Sequence, residues 1–259
     1  MIATAVADAF RVDGKVALVT GGYGGIGQAV CRALASMGAN VAVAGHNAEK
    51  AEACAKALGS DAYPSQFDVT SVPDTERMVD EVASHFGRLD ILVNCVGLNR
   101  EEKAGEVTEE RFDHVLDVNL KGAMFQAQAA ARHMIRRGEG GKQVHMGSVR
   151  TMLGLRGRGY AAYCAAKGGL GVLCRQLAAE WAPDQINVNV VAPTFVRTQQ
   201  VAAMLSDPDF YKTLVARIPL GRIAEPDDVA NAVLFFVSPA SGFITGQTLY
   251  LDGGITTTQ

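Results

Sequence analysis

The stretch Thr20-Gly21-Gly22-Tyr23-Gly24-Gly25-Ile26-Gly27 joins a short apolar run, residues 16–20, to a helical segment, residues 26–37. Gly21, Gly25 and Gly27 fit G-x-x-x-G-x-G, and Gly22, Gly24 and Gly27 fit G-x-G-x-x-G. The physics is the same in either register. Glycines let the backbone reverse sharply at the end of a strand. They also let an anion approach the first turn of the helix, where unpaired N–H groups and the dipole favour negative charge. Gly21, Tyr23, Gly25, Ile26 and Gly27 are therefore the candidate pyrophosphate contacts.

Outward from this turn the pattern repeats. Short apolar runs at 16–20, 41–44, 62–67, 91–95, 143–146, 186–191 and 248–251 read as strands buried on both faces of a parallel sheet. Segments 26–37, 48–58, 74–86 and 163–181 between them have helical length and composition. Strand and helix in alternation predict an α/β Rossmann-type, doubly wound parallel sheet of about seven strands. Ser71, with Pro73 and Asp74 after it, caps the third helix, and Gly38, Gly59 and Gly87 close helices. No linker or repeat divides the chain. The sequence predicts a loose tail at 1–12 and one dinucleotide-binding domain at 13–259. The irregular stretches 98–106, 150–159 and 194–219 all follow strand ends, on the edge where such sheets bind ligands.

Composition narrows the function. Of 259 residues, 48% are apolar and 20% charged, which fits a globular chain rather than a disordered one. The formal charge of -3 gives no reason to expect a nucleic-acid partner. No apolar run approaches membrane-spanning length. Five cysteines without C-x-x-C, and five histidines without paired spacing, predict reduced thiols in the cytoplasm and no metal site.

Two further features carry chemistry. An NAD site places an acid at the end of the second strand, for the ribose 2′-hydroxyl. Here that position reads Gly45-His46-Asn47. A 2′-phosphate meets no repulsion, and His46 can attract it, so the sequence leans to NADP(H) over NAD(H). Gly45→Asp should move preference toward NAD(H). Next, Tyr163 and Lys167 stand four apart on a helix and share a face. An ammonium beside a phenol favours the phenolate and should lower the pKa of Tyr163 toward working pH.

In order and separation, Thr20–Gly27, Asn94-Cys95-Val96-Gly97, Asn119, Ser148, Tyr163 with Lys167, and Leu251-Asp252-Gly253-Gly254 resemble the short-chain dehydrogenase/reductase family, in its branch of about 250 residues. The resemblance runs from Lys15 to Gly254. It implies an oxidoreductase that moves a hydride between NAD(P) and a secondary alcohol or ketone. It implies that Tyr163 exchanges a proton with the substrate oxygen. Lys167 would hold the nicotinamide ribose, Ser148 the substrate oxygen, and Asn119 a relay water at a helix irregularity. Asp68 and Val69 would meet the adenine and Asn94 the adenosine ribose. Pro193, Val196 and Thr198 would border the nicotinamide. It also implies a homotetramer, for which the alanine-rich segment 123–133 and the apolar end 243–254 are the candidate surfaces.

The chain departs from the family pattern in four places. Cys95-Val96 replaces Asn-Ala, Thr194 replaces the glycine after Pro193, and His46 replaces an acid or arginine. Ser148 and Tyr163 are 15 residues apart instead of about 13, which places an insertion in 150–159. For substrate, segments 130–141, 163–181 and 217–226 resemble sugar-acid reductases of the gluconate 5-dehydrogenase kind. Arg150, Arg156, Arg158, Asn99 and Arg100 are candidate carboxylate or hydroxyl contacts. The alternatives are a 3-oxoacyl carrier-protein reductase and, in a different class, a catalytically idle NADP-binding sensor or scaffold.

Overall fold

The computed structural model describes residues 6–258. Seven strands are formed: β1 Val16–Thr20, β2 Asn40–Gly45, β3 Tyr63–Gln66, β4 Ile91–Asn94, β5 Gly141–Met146, β6 Ile186–Pro193 and β7 Thr248–Leu251. They pair in parallel in the order β3-β2-β1-β4-β5-β6-β7. The order reverses between β1 and β4, which opens a crevice above their carboxyl ends. The predicted strands are all present. β3 is shorter than 62–67, and its Pro64 is tolerated because this strand lies at the sheet edge.

The main helices are α1 Gly25–Ser36, α2 Ala48–Leu58, α3 Val72–Phe86, α4 Glu109–Leu116, α5 Gly122–Arg137, α6 Ala161–Trp181, α7 Pro208–Ala216 and α8 Pro226–Val237. Strand side chains alternate between two cores. Ala17, Val19, Val41 and Val43 face α1, α2 and α8, whereas Val16, Leu18, Ala42 and Ala44 face α3, α5 and α6. The Ser71 hydroxyl accepts from Asp74 N and caps α3. Gly87 is left-handed at φ 73°, but Gly59 adopts φ 128°, ψ -179°, an extended glycine conformation instead of a left-handed turn.

Three expectations need correction. The tail is docked from residue 9: Ala9 O accepts from Ala240 N, Val12 N donates to Met37 O, and Phe10 packs near Phe235. Residues 1–5 of that segment lie outside the described residues. Segment 194–219 is largely helical, with a 3-10 turn Gln199–Val201, a short helix Ala202–Leu205 and α7. Its apolar residues Leu205, Phe210, Leu214 and Val215 form a separate small core with Ile218, Ile223 and Ile255. Finally, Ala123, Ala127, Ala129, Ala130 and Ala131 are buried within the single chain, so the alanines of 123–133 serve its own packing. Among the described residues no helix is long and apolar enough to cross a membrane.

The amino ends of the central strands are tied by one carboxylate. Asp90 accepts from Val16 N at 2.9 Å and from both arms of Arg88, and Arg137 Nη1 lies 2.8 Å away. Burial alone would raise this carboxyl. The Arg88 and Val16 hydrogen bonds and the Arg137 charge outweigh it and hold the group below the usual range. A depressed carboxyl contributes stability that is present above its unfolded value and lost as pH falls through the folded one. Asp90→Ala should cost about 3 kcal/mol, the lower end for a broken buried pair because the arginines keep some solvent. Urea unfolding at neutral pH checks this, and the loss should shrink in acid.

Candidate active site

A cleft runs over the carboxyl ends of β1, β4, β5 and β6. Its inner part, a cavity of about 450 Å³, is lined by Ser148, Tyr163, Lys167, Thr194, Val196 and Thr198 among others. Its outer part is lined by Gly21, Tyr23, Gly25, Ile26 and Gly27. Ile26, Cys95, Thr198 and Gln200 border both parts. Among the described residues no group of acidic, histidine or cysteine side chains could hold a metal ion.

The glycine turn is built by close approach. A Cβ on Gly27 would sit 2.2 Å from Gly21 O, and one on Gly25 would sit 2.7 Å from Thr198 Cγ2. Gly21 has φ 65° and lies against the Cys95 carbonyl. Side chains of Asn47, Ser71, Thr108 and Asp207 cap α2, α3, α4 and α7. α1 has Gly24 at that position, with no side-chain cap and no acid in its first turn. Its N–H groups are left for an anion, so a dinucleotide pyrophosphate fits here.

Position 45 differs from the expectation. A Cβ on Gly45 would lie 2.4 Å from Tyr23 Cε1, so the tyrosine ring fills the space where an acid would stand. Tyr23 OH is 2.9 Å from His46 Nδ1 and accepts from Asn47 N at 3.0 Å. An aspartate at 45 would displace this ring before it altered charge, so it cannot simply reverse cofactor preference. His46 is exposed at the rim. Asp68 shares a shallow hollow with His46, but its Oδ1 already accepts from Thr70 N and Oγ1. Val69 packs against Gly122.

Asn94 lies beneath the cleft. Its Oδ1 accepts from Val96 N at 3.0 Å and from Thr20 Oγ1 at 3.3 Å, and its Nδ2 is 3.5 Å from His145 Nδ1. The carboxamide thus braces the β4 turn and is not presented to the cleft. His145 was not singled out from the sequence, although a histidine inside the run 143–146 is a readable anomaly. Burial lowers its pKa to about 4, so it is neutral and can accept from Asn94.

Asn119 occupies a π-helical turn, Asp117–Lys121, between α4 and α5. Its Nδ2 donates to Leu98 O and Val115 O, and its Oδ1 accepts from Leu98 N. A Cβ on Gly97 would lie 3.1 Å from Asn119 Oδ1 and 3.4 Å from Lys167 Nζ, so the two groups converge across that glycine. Lys167, 2% exposed, donates to Met146 O at 2.7 Å and stands 5.7 Å from the Tyr163 ring centre. Ser148 accepts from Arg150 N at 3.2 Å and hydrogen-bonds the Tyr163 phenol.

The proton states reverse one expectation. Burial pushes Tyr163 up to about 12, and the Ser148 hydrogen bond offsets only part of that. Burial pulls Lys167 down to about 8. The ammonium donates to the Met146 carbonyl, and desolvation dominates the phenol. Tyr163 is therefore held protonated.

The longer 150–159 loop is joined to 98–106, a link the sequence did not reveal. Glu102 N donates to Gly159 O at 2.9 Å, and Arg158 pairs with Glu101. A Cβ on Gly159 would meet the Glu102 carbonyl carbon at 2.2 Å, so this approach requires glycine. Thr194 Oγ1 and Asn99 Oδ1, both in the cleft wall, are shut off from solvent without a hydrogen-bond partner.

Residues 21–256 match the family model described as enoyl-(acyl carrier protein) reductase. The chain is 40% identical over 252 residues to D-threitol dehydrogenase of Mycolicibacterium smegmatis, covering 95% of each. It is 35% identical over 251 residues to 2-dehydro-3-deoxy-D-gluconate 5-dehydrogenase of Escherichia coli, covering 96% of this chain and 98% of the relative. A gluconate 5-dehydrogenase from Burkholderia cenocepacia, solved in complex with NADP and tartrate, superposes with a TM-score of 0.93. It is 36% identical, and the match covers 98% of this chain and all of that one.

The raised phenol has a direct test. An ultraviolet difference titration of the protein against its Tyr163→Phe variant should show this tyrosine ionising only well above the ordinary value of about 10. Ionisation below that value would contradict the assignment.

Proposed function

This chain belongs to the short-chain dehydrogenase/reductase family, and from that membership we propose that it interconverts a secondary alcohol and a ketone on a small hydroxylated acid, with NADP(H) as cofactor. The observation that carries the reading is the convergence of Ser148, the Tyr163 phenol and the Lys167 ammonium in one cleft next to a glycine turn with free N–H groups. The relatives are dehydrogenases, which sets aside an idle sensor or scaffold.

The nicotinamide, when bound, supplies or accepts the hydride. The protein handles the oxygen and the proton. Ser148 and Tyr163 hydrogen-bond the carbonyl oxygen and draw charge toward it. Tyr163 donates its proton as that oxygen becomes an alcohol, and Lys167 steadies the phenolate left behind. Lys167 would also reach the ribose, and Asn119, across Gly97, would hold a relay water. Gly21, Tyr23, Gly25, Ile26 and Gly27 would hold the pyrophosphate, while Pro193, Val196 and Thr198 would flank the nicotinamide. In oxidation the same phenol must first lose its proton, so alcohol oxidation should quicken as pH rises.

NADP(H) is favoured because no acid follows β2 and His46 stands exposed at the rim. The Burkholderia relative was solved with NADP, and its tartrate is a hydroxy acid. A carrier-protein thioester is the less favoured substrate, since Arg158, a cation of the cleft lining, is already paired with Glu101. The setting we propose is cytoplasmic, where the five free cysteines stay reduced. We also propose self-assembly through the carboxyl end, where Phe243 is fully exposed and Leu249 partly so. Sedimentation should show a tetramer at micromolar concentration, and a monomer would exclude it.

Turnover is tested by following the reduced nicotinamide with both cofactors on sugar acids and polyols. NADP(H) should give the higher kcat/KM. Tyr163→Phe should lower kcat by about 100- to 10,000-fold and leave dinucleotide binding in place. Lys167→Ala should weaken both. Full activity in Tyr163→Phe would remove the mechanism.

A further inference from the structure

Of the cations near the cleft, one is unlike the rest. Arg158 is paired with Glu101, and Arg100 and Arg156 are exposed. Arg150 is only 7% exposed and lines the same cavity as Ser148 and Tyr163. Its Nη1 donates to the carbonyls of Leu153 and Gly154, which fixes the guanidinium in place. No acidic side chain among the described residues forms an ion pair with it. Arg217 is close enough to add to the positive potential there.

A buried cation without a counter-charge is costly, and buried charges in proteins are normally paired. Backbone carbonyls satisfy part of the guanidinium but bring no net negative charge. The fork geometry of arginine matches a carboxylate better than it matches a hydroxyl. We infer that Arg150 is the specificity-determining residue of this site, and that it selects substrates carrying a carboxylate a few bonds from the reacting carbinol. The inference rests on the dehydrogenase reading above and narrows it. Polar residues of the same lining, Ser148, Asn99 and Thr194, suit the hydroxyls of that substrate. The substrate class is thus a short polyhydroxy acid, with the uncharged polyol of the same length as the disfavoured analogue.

The test compares D-gluconate with its uncharged counterpart D-glucitol, at saturating NADP⁺. The wild type should prefer the acid in kcat/KM. Arg150→Gln should reduce the acid-to-polyol ratio by about 10- to 100-fold, the worth of one charge-assisted contact. Arg150→Lys should keep part of that ratio, which a purely loop-bracing role would not predict. A wild type that prefers glucitol overturns the inference, and so does an Arg150→Gln variant that loses both activities by the same factor. Thermal unfolding with NADP⁺ gives a readout independent of turnover. Gluconate should raise the melting temperature of the wild type more than glucitol does, and the difference should vanish in Arg150→Gln. Absence of that difference in the wild type overturns the carboxylate site even if another alcohol is oxidised. Its presence without any turnover keeps the site and overturns the dehydrogenase reading.

Discussion

The bond from Lys167 Nζ to the Met146 carbonyl, 2.7 Å long and shut off from solvent, sets the geometry of the whole active edge. A buried ammonium needs a strong acceptor, and the last residue of β5 provides it. That bond fixes α6 against the sheet and so places Tyr163, one turn earlier, beside Ser148. It also decides what can surround the lysine. Gly97 has no side chain to occupy the approach, and the π-helical turn at Asp117–Lys121 brings Asn119 to the other side of the glycine. Three segments distant in sequence are therefore registered on a single nitrogen atom.

The two ends of the cleft are prepared in opposite ways. At the glycine turn the backbone offers donors and the side chains withdraw, so the uncapped α1 presents free N–H groups. At the inner end, side chains converge and burial tunes them. The same desolvation that holds Tyr163 protonated weakens the hold of Lys167 on its proton. Burial thus drives apart two groups whose ordinary values nearly coincide, the phenol up to about 12 and the ammonium down to about 8.

The strand-to-helix alternation and the glycine turn were legible because they rest on local rules, namely burial on both faces of a strand and the steric needs of Gly21 and Gly27. The Tyr163 and Lys167 pairing was legible for the same reason, since spacing on a helix decides which side chains share a face. Its proton state was not. The phenol's pKa depends on enclosure against the cluster of Val115, Ala162 and Ala166, and no spacing rule reports desolvation. Tyr23 filling the space over Gly45 was hidden because it requires the turn and the second strand end to be placed together in space. The same holds for Asn94, whose type suggested a ligand contact while its partners Thr20, Val96 and His145 turned it inward. The helices within 194–219 were missed because their polar and apolar residues pack on a private core rather than on the sheet.

That private core has an evolutionary side. Leu214, Ile218, Ile223 and Ile255 are in contact with one another and with Phe195, Phe210 and Tyr211, apart from both sheet cores. Substitutions among these residues are absorbed within this cluster, which shares no residue with the two sheet cores. Mutational drift within that cluster is therefore decoupled from the stability of the sheet. A lineage carrying this architecture can change what it admits to the cleft while its redox machinery stays under separate selection.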